Sequence, residues 1–215
     1  MTTVPQNILD TFVAACRQAA QHGLMKCSSG NMSWRIDDRR MLVSTSRSWL
    51  GRLTTDDVAI CAMDDGRVLN SKRASVETGF HLGILKARPD INVVLHYQTS
   101  CATALACRNT DNINFFVIPE IPFYIGPVAR IPYFPPGSKE LADAVIRAMR
   151  SHDLLIMGNH GQVTVAKDFD HAIQNAEFFE LACDVILRCG DKVIPLPEAE
   201  ANALLASRQA ANAKV

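Results

Sequence analysis

The chain has 215 residues, 48% hydrophobic and 20% charged, which suits one globular domain over 1–215 with a substantial core. Lys plus Arg and Asp plus Glu both number 22, so no basic footprint points to nucleic acid or an anionic membrane, and no apolar run approaches the ~20 residues that span a bilayer. Seven cysteines without a CxxC pair indicate neither a disulfide framework nor a zinc knuckle, and residues 1–10 lack the features of a signal peptide, so the cytoplasm is the expected compartment.

Residues 7–22 place Ile8, Phe12, Ala15, Cys16 and Ala19 on one helical stripe, with Gly23 as a stop. Ser28-Ser29-Gly30-Asn31 then forms a polar turn into a strand; read alone, Gly30-Asn31 only tolerates a tight bend. The strand at 41–45 ends in the hydroxyl-rich Ser44-Thr45-Ser46-Arg47-Ser48. Segments 58–63 and 67–69 flank Asp64-Asp65-Gly66 and predict a hairpin. Glu77 opens a helix over 78–88, where a carboxylate complements the dipole, and His81 one turn on reads as a packing or capping histidine rather than a ligand.

The run 91–95 is apolar and β-branched, which predicts a strand buried on both faces. It ends in His96 and Gln98, an i, i+2 pair whose side chains point to the same side, and Thr99 or Ser100 is placed to cap a following helix. Segments 118–122 and 131–137 are punctuated by proline and predict loops and edge strands. Ser138 starts a helix with Leu141, Ala144, Val145, Ala148 and Met149 inward. A strand at 153–157 turns through Gly158-Asn159-His160-Gly161 into 162–166, and Asp168 caps a long helix to about Arg188, ended by Gly190. Residues 195–215 read as an Ala-rich, weakly helical tail, expected to fray. Hairpin connections imply many antiparallel pairs with helices covering the sheet, an α/β architecture without internal repeats. GxGxxG, P-loop and GxSxG patterns are absent, which removes dinucleotide, NTPase and serine-hydrolase chemistry.

Five polar segments thus stand at strand ends or turns: Ser28-Ser29-Gly30-Asn31, Ser44-Thr45-Ser46-Arg47, Ala74-Ser75-Val76-Glu77, His96-Tyr97-Gln98 and Asn159-His160-Gly161. In this order and spacing the chain resembles the class II aldolase/adducin family, in its variant carrying H-x-Q in place of H-x-H. The resemblance covers nearly the whole chain. It implies a three-layer α/β/α sandwich with a central, mainly antiparallel sheet.

It also implies a divalent metal, usually zinc, with His96 and His160 as ligands and Gln98 at the position of a third family histidine. In the family the metal stabilises an enediolate formed when a carbon–carbon bond breaks, and the carboxylate at the position of Glu77 shuttles its proton. Ser28, Gly30, Asn31, Ser46, Arg47 and Ser75 match positions that hold the substrate, a small phosphorylated sugar. The implied reaction is aldol cleavage of a ketose 1-phosphate, such as L-fuculose 1-phosphate, to dihydroxyacetone phosphate and an aldehyde, carried out by a homotetramer. Alternatives are a sugar-phosphate 4-epimerase, a dehydratase, or an adducin-like domain that keeps the fold as an interaction module. Four departures stand out, the first being Val76, which removes a hydroxyl that contacts the phosphate in the family. Gln98 offers an amide oxygen where the family has imidazole, Arg47 sits where it usually has Gly, and no tyrosine follows Tyr133, which leaves Tyr124 and Tyr133 as the remaining candidates for protonating the aldehyde.

Overall fold

The computed structural model describes residues 4–109 and 112–212. Seven strands form one sheet in the order β3-β2-β1-β4-β7-β6-β5: β1 (Asn31–Arg35), β2 (Arg40–Ser44), β3 (Val58–Ala62), β4 (Val93–Tyr97), β5 (Val128–Ile131), β6 (Leu154–Met157) and β7 (Gly161–Ala166). Every neighbouring pair is antiparallel except β5 with β6, so the sheet is mixed but mainly antiparallel. Helices flank it: α1 (Gln6–Gln21), α2 (Thr78–Ala87), α3 (Ser100–Ala106), α4 (Lys139–Met149), α5 (Phe169–Cys189) and α6 (Glu198–Asn212).

The period-2 alternation of the strands divides the core. On one face, Met32, Leu42, Leu95 and Tyr97 meet Phe12, Cys16 and Ala19 of α1 and Ala172, Ile173 and Ala176 of α5. On the other, Met41, Val43, Val94 and Val165 meet Phe80 and Ile84 of α2 and Leu141, Val145 and Met149 of α4. A third cluster packs α3 and the C-terminal half of α5 onto Leu154 and Ile156. Each fully buried Leu, Ile, Val, Phe or Met among these contributes about 1.5–3 kcal/mol relative to leaving it exposed. Together the clusters make the expected three layers. No helix among the described residues is long and apolar enough to cross a membrane, and the cysteines are all free.

The helix ends follow the sequence in part. Ser138 Oγ accepts from Leu141 N at 3.1 Å and Asp168 accepts from His171 N at 2.9 Å, as expected of N-caps. Thr99 is the residue before α3, but its hydroxyl does not cap: Glu180, reaching across from α5, accepts from Cys101 N and Ala102 N, both at 2.8 Å. A carboxylate satisfies two orphan donors at once and complements the dipole, which a single hydroxyl does not.

The hairpin after β3 is also modified. Its turn forms, but the return through Arg67 to Leu69 makes only the bridge Cys61↔Val68. The Asn70 side chain replaces the missing strand, accepting from Ile60 N at 3.0 Å and donating to Val58 O at 2.9 Å. The proline-rich stretch, expected as loops and edge strands, also holds a short π-helical turn at Ile121–Ile125. In the tail, 198–212 is helical, as its composition leads one to expect, and Arg208 ties it to the body by pairing with Asp153 and donating to Tyr124 O; residues 213–215 lie outside the described residues.

Candidate metal centre

His96 lies in β4 on the face covered by α2, one residue before the strand ends. The register Asn31↔His96 sets it beside the start of β1, and His96↔Val163 sets it beside β7. Gly30 makes the first approach possible, since it has φ +78 and a Cβ there would lie 2.6 Å from His96 O. His160 sits in the turn between β6 and β7, after Asn159 with φ +53. Glu77 is the residue before α2 and is 6% exposed. Strand end, turn and helix start converge at one end of the sheet.

There the three residues each offer a donor atom within 4.8 Å of the others. His160 Nε2 is 3.5 Å from Glu77 Oε1, and His96 Nε2 is 3.6 Å from Glu77 Oε2. These gaps are long for hydrogen bonds. They match the roughly 3.4 Å between two ligands held about 2.1 Å from one ion in tetrahedral geometry. His96 Nδ1 lies 2.9 Å from Gln162 O, a carbonyl that only accepts, so Nδ1 carries the proton and Nε2 turns its lone pair to the site. Glu77 Oε1 is buried without a hydrogen-bond partner. A buried orphan oxygen between two imidazole nitrogens fits a divalent cation.

The ionisation states agree with that. Burial, with repulsion from His96, pushes the His160 imidazole down to about 4 against the opposing pull of Glu77, so the ring is neutral near pH 7. Burial works to raise the Glu77 carboxyl, but His96, the Asn31 amide, His160 and His81 outweigh it, and the group sits below the ordinary carboxylate range. Neutral imidazole and ionised carboxylate are the ligand forms.

Asn31 donates through Nδ2 to Glu77 Oε2 at 2.8 Å, and its Oδ1 lies 2.5 Å from His81 Nε2. His81 is fully buried, is pushed down to about 3 mainly by that burial, and contacts Ser33 Oγ through Nδ1 at 2.7 Å. The hydroxyl-rich loops lie side by side: Ser46 N donates to Arg73 O, Ser75 N donates to Ser44 O, and Ser75 Oγ accepts from Glu77 N at 3.3 Å. A cavity of about 270 Å³ opens beside Glu77, lined by Val76, Phe80, Ser138 and Lys139 among others.

Residues 10–187 match the family described as Class II Aldolase and Adducin N-terminal domain. The chain belongs to that class II aldolase family. Among its relatives, the 3-oxo-tetronate 4-phosphate decarboxylase of Haemophilus influenzae is 31% identical over 183 residues, covering 84% of this chain and 86% of that one. An L-fuculose phosphate aldolase of Methanococcus maripaludis is 33% identical over 172 residues, covering 80% and 92%. The crystal structure of YgbL from Escherichia coli superposes with a TM-score of 0.86 at 25% identity, covering 93% of this chain and 98% of that one.

Of the residues singled out in sequence, this class II aldolase chain brings Glu77, His96 and His160 together, with Asn31 and Ser75 bonded to Glu77. Gln98 lies next to them: a Cβ on Gly161 would meet Gln98 Cγ at 2.7 Å and His96 Cε1 at 3.0 Å. Arg47 is exposed and holds φ +65, so the turn keeps a backbone conformation natural to glycine at a cost of about 1–2 kcal/mol. Ser46 is half-buried in the same turn, and Ser28 is exposed in the turn before Gly30, with no bond to the triad. Tyr124 stacks on Phe178 of α5, ring centroids 5.4 Å apart, and Tyr133 is exposed, its backbone against Gly158. Ser33 and Gln162 carry no signal of their own as site residues in the sequence, and His81, expected to pack or cap, joins Asn31 and Ser33 in hydrogen bonds instead. The i, i+4 spacing of Glu77 and His81 and the i, i+2 spacing of Asn31 and Ser33 were the available signals.

Proposed function

We propose that this protein is a metal-dependent carbon–carbon lyase that removes carbon dioxide from a 3-oxo-tetronate 4-phosphate. The observation that carries the reading is the Glu77 carboxylate between two imidazoles, one oxygen held by Asn31 and the other without a partner. His96 and His160 would hold the cation, with Gln98 as a further oxygen donor and Glu77 a ligand only while no substrate is bound, and zinc suits this donor set. When bound, a divalent cation supplies Lewis-acid stabilisation of the charge that develops on the oxygen beside the breaking bond.

In such a substrate the C1–C2 bond breaks, carbon dioxide leaves, and the electron pair spreads from C2 onto the C3 oxygen. A proton delivered to C2 then gives dihydroxyacetone phosphate. Glu77 is the group to carry that proton from solvent, through the Oε1 that no hydrogen bond engages. Ser28, Ser46 and Ser75, with turn N–H groups and the Arg47 guanidinium, hold the phosphate, and Gly30 with Asn31 shapes the wall beside it. The relative from Haemophilus influenzae carries this activity in its name and supports the choice.

Aldol cleavage of a ketose 1-phosphate is the second reading, favoured by the L-fuculose phosphate aldolase relatives. Both reactions leave the same three-carbon fragment. They differ at the leaving group: an aldehyde forms only if a base takes the hydroxyl proton, whereas carbon dioxide leaves without one. Tyr124, one of the two candidates for that base, is stacked on Phe178, which leans toward decarboxylation. A homotetramer, taken from the family resemblance alone, is part of the proposal, and the cysteine usage adds the cytoplasm. The test is to load metal-free protein with zinc, supply 3-oxo-tetronate 4-phosphate and L-fuculose 1-phosphate separately, and follow dihydroxyacetone phosphate, carbon dioxide and aldehyde. Zinc-dependent carbon dioxide release, lost in Glu77→Gln, is expected. Aldehyde release without decarboxylation would move the protein to the second reading. Failure to take up any metal would favour the interaction module.

A further inference from the structure

We propose that His81 is a positioning residue: a one-directional chain of hydrogen bonds, Ser33 to His81 to Asn31 to Glu77, fixes which carboxylate oxygen of Glu77 is left for chemistry. This rests on reading Glu77 as the proton carrier.

The direction follows from the last member. An ionised carboxylate only accepts, so the group that Asn31 turns to Glu77 Oε2 at 2.8 Å is its NH2. Asn31 Oδ1 must then face His81 Nε2, at 2.5 Å, and because an amide oxygen only accepts, Nε2 carries the proton. A neutral ring protonated at Nε2 has its lone pair on Nδ1, so the hydroxyl of Ser33, 2.7 Å away, donates to it. No member is free to reverse without leaving two acceptors or two donors face to face.

The backbone holds the chain rigidly. Asn31 and Ser33 are i, i+2 on β1 and share a face, while Glu77 and His81 are one helical turn apart. Ser33 and His81 are fully buried, and the His81 ring stacks on Phe80 with centroids 4.7 Å apart. Water is excluded from Ser33 and His81, so no solvent molecule takes their place. The consequence is that Oε2 is engaged and Oε1 is free, facing His160.

Two measurements test this. With ¹⁵N-histidine in metal-free protein, the two-bond ¹H–¹⁵N spectrum of His81 is expected to show the Nε2–H tautomer; an Nδ1–H or doubly protonated ring would overturn the proposal. The resonance is identified by its loss in His81→Gln. In kinetics of the zinc-loaded enzyme, His81→Leu is expected to lower kcat by about 10–100-fold with little change in KM. His81→Gln, whose amide still donates to Asn31 and accepts from Ser33, is expected to recover most of that loss. Equal losses in both variants would mean that His81 only packs. If the wild type turns over no substrate, the proposed reaction fails, and the tautomer alone decides the chain.

Discussion

Gly161→Ala probes the close packing of β4 on β7 and the candidate metal site together. The added methyl would lie 2.7 Å from Tyr97 O and from Gln98 Cγ, and 3.0 Å from His96 Cε1. Ordinary contact begins near 3.4 Å, so the neighbours must give by several tenths of an ångström. Gln98 has side-chain freedom, but Tyr97 O is backbone in a strand paired with β7 at Tyr97↔Gln162. Overpacking of this kind costs about 1–3 kcal/mol. For a chain of this length that lowers Tm by about 2–4 °C per kcal/mol, or about 2–12 °C in all. The displaced His96 ring adds a loss that stability alone does not produce, a fall in zinc affinity of about 10–100-fold. Thermal unfolding of metal-free protein and a chelator-competition titration measure the two effects. Asp168→Ala serves as comparison: it removes the cap of α5, costs about 0.5–2 kcal/mol, and leaves zinc affinity intact. A Gly161→Ala protein with an unchanged midpoint and unchanged zinc affinity would refute the steric reasoning.

Three more outcomes follow. His81 and His160 are held near 3 and 4 in the fold against 6.5 in the unfolded chain. Between pH 6.5 and 4 the unfolded state therefore binds protons that the folded state refuses, and metal-free protein loses stability as pH falls, at about 1.4 kcal/mol per pH unit for each histidine. The depressed Glu77 carboxyl acts in the same direction lower down, its contribution being lost as pH falls through its folded pKa. Urea unfolding at several pH values measures the slope, and a flat profile across this window would contradict it. Glu180→Ala strips both N–H partners from the start of α3 and is expected to cost about 1–3 kcal/mol in urea unfolding, with Glu180→Gln losing less. Gln98→His puts imidazole in place of an amide oxygen beside His96 and is expected to tighten zinc binding in the same competition titration; weaker binding would show that position 98 faces away from the ion.

Much of this was legible because strands and turns have short-range signatures. The apolar run before His96, the Gly-Asn-His-Gly turn and the start of α2 each place their own candidate residue, and the sheet order then brings three such ends together. What escaped depends on approaches between distant segments. Thr99 stood in the right place to cap α3, yet the cap comes from Glu180, on a helix whose distance from α3 is set only by packing. The segment after Gly66 has the composition of a strand, but a single asparagine side chain takes the hydrogen bonds it would have made. Asn31 was recognisable as a site residue, whereas the way its amide points is dictated by Glu77 and His81, 46 and 50 positions away.

Asn70 also governs how the molecule meets its neighbours. The outward-facing backbone of β3 is largely occupied: Asn70 takes Val58 O and Ile60 N, Leu69 N takes Ile60 O, and Ala62 N donates to Arg67 O. A bare strand at the rim of a sheet is a template on which a second chain can polymerise. Here the seam is already stitched, so fibre growth along that border would first have to pull Asn70 loose.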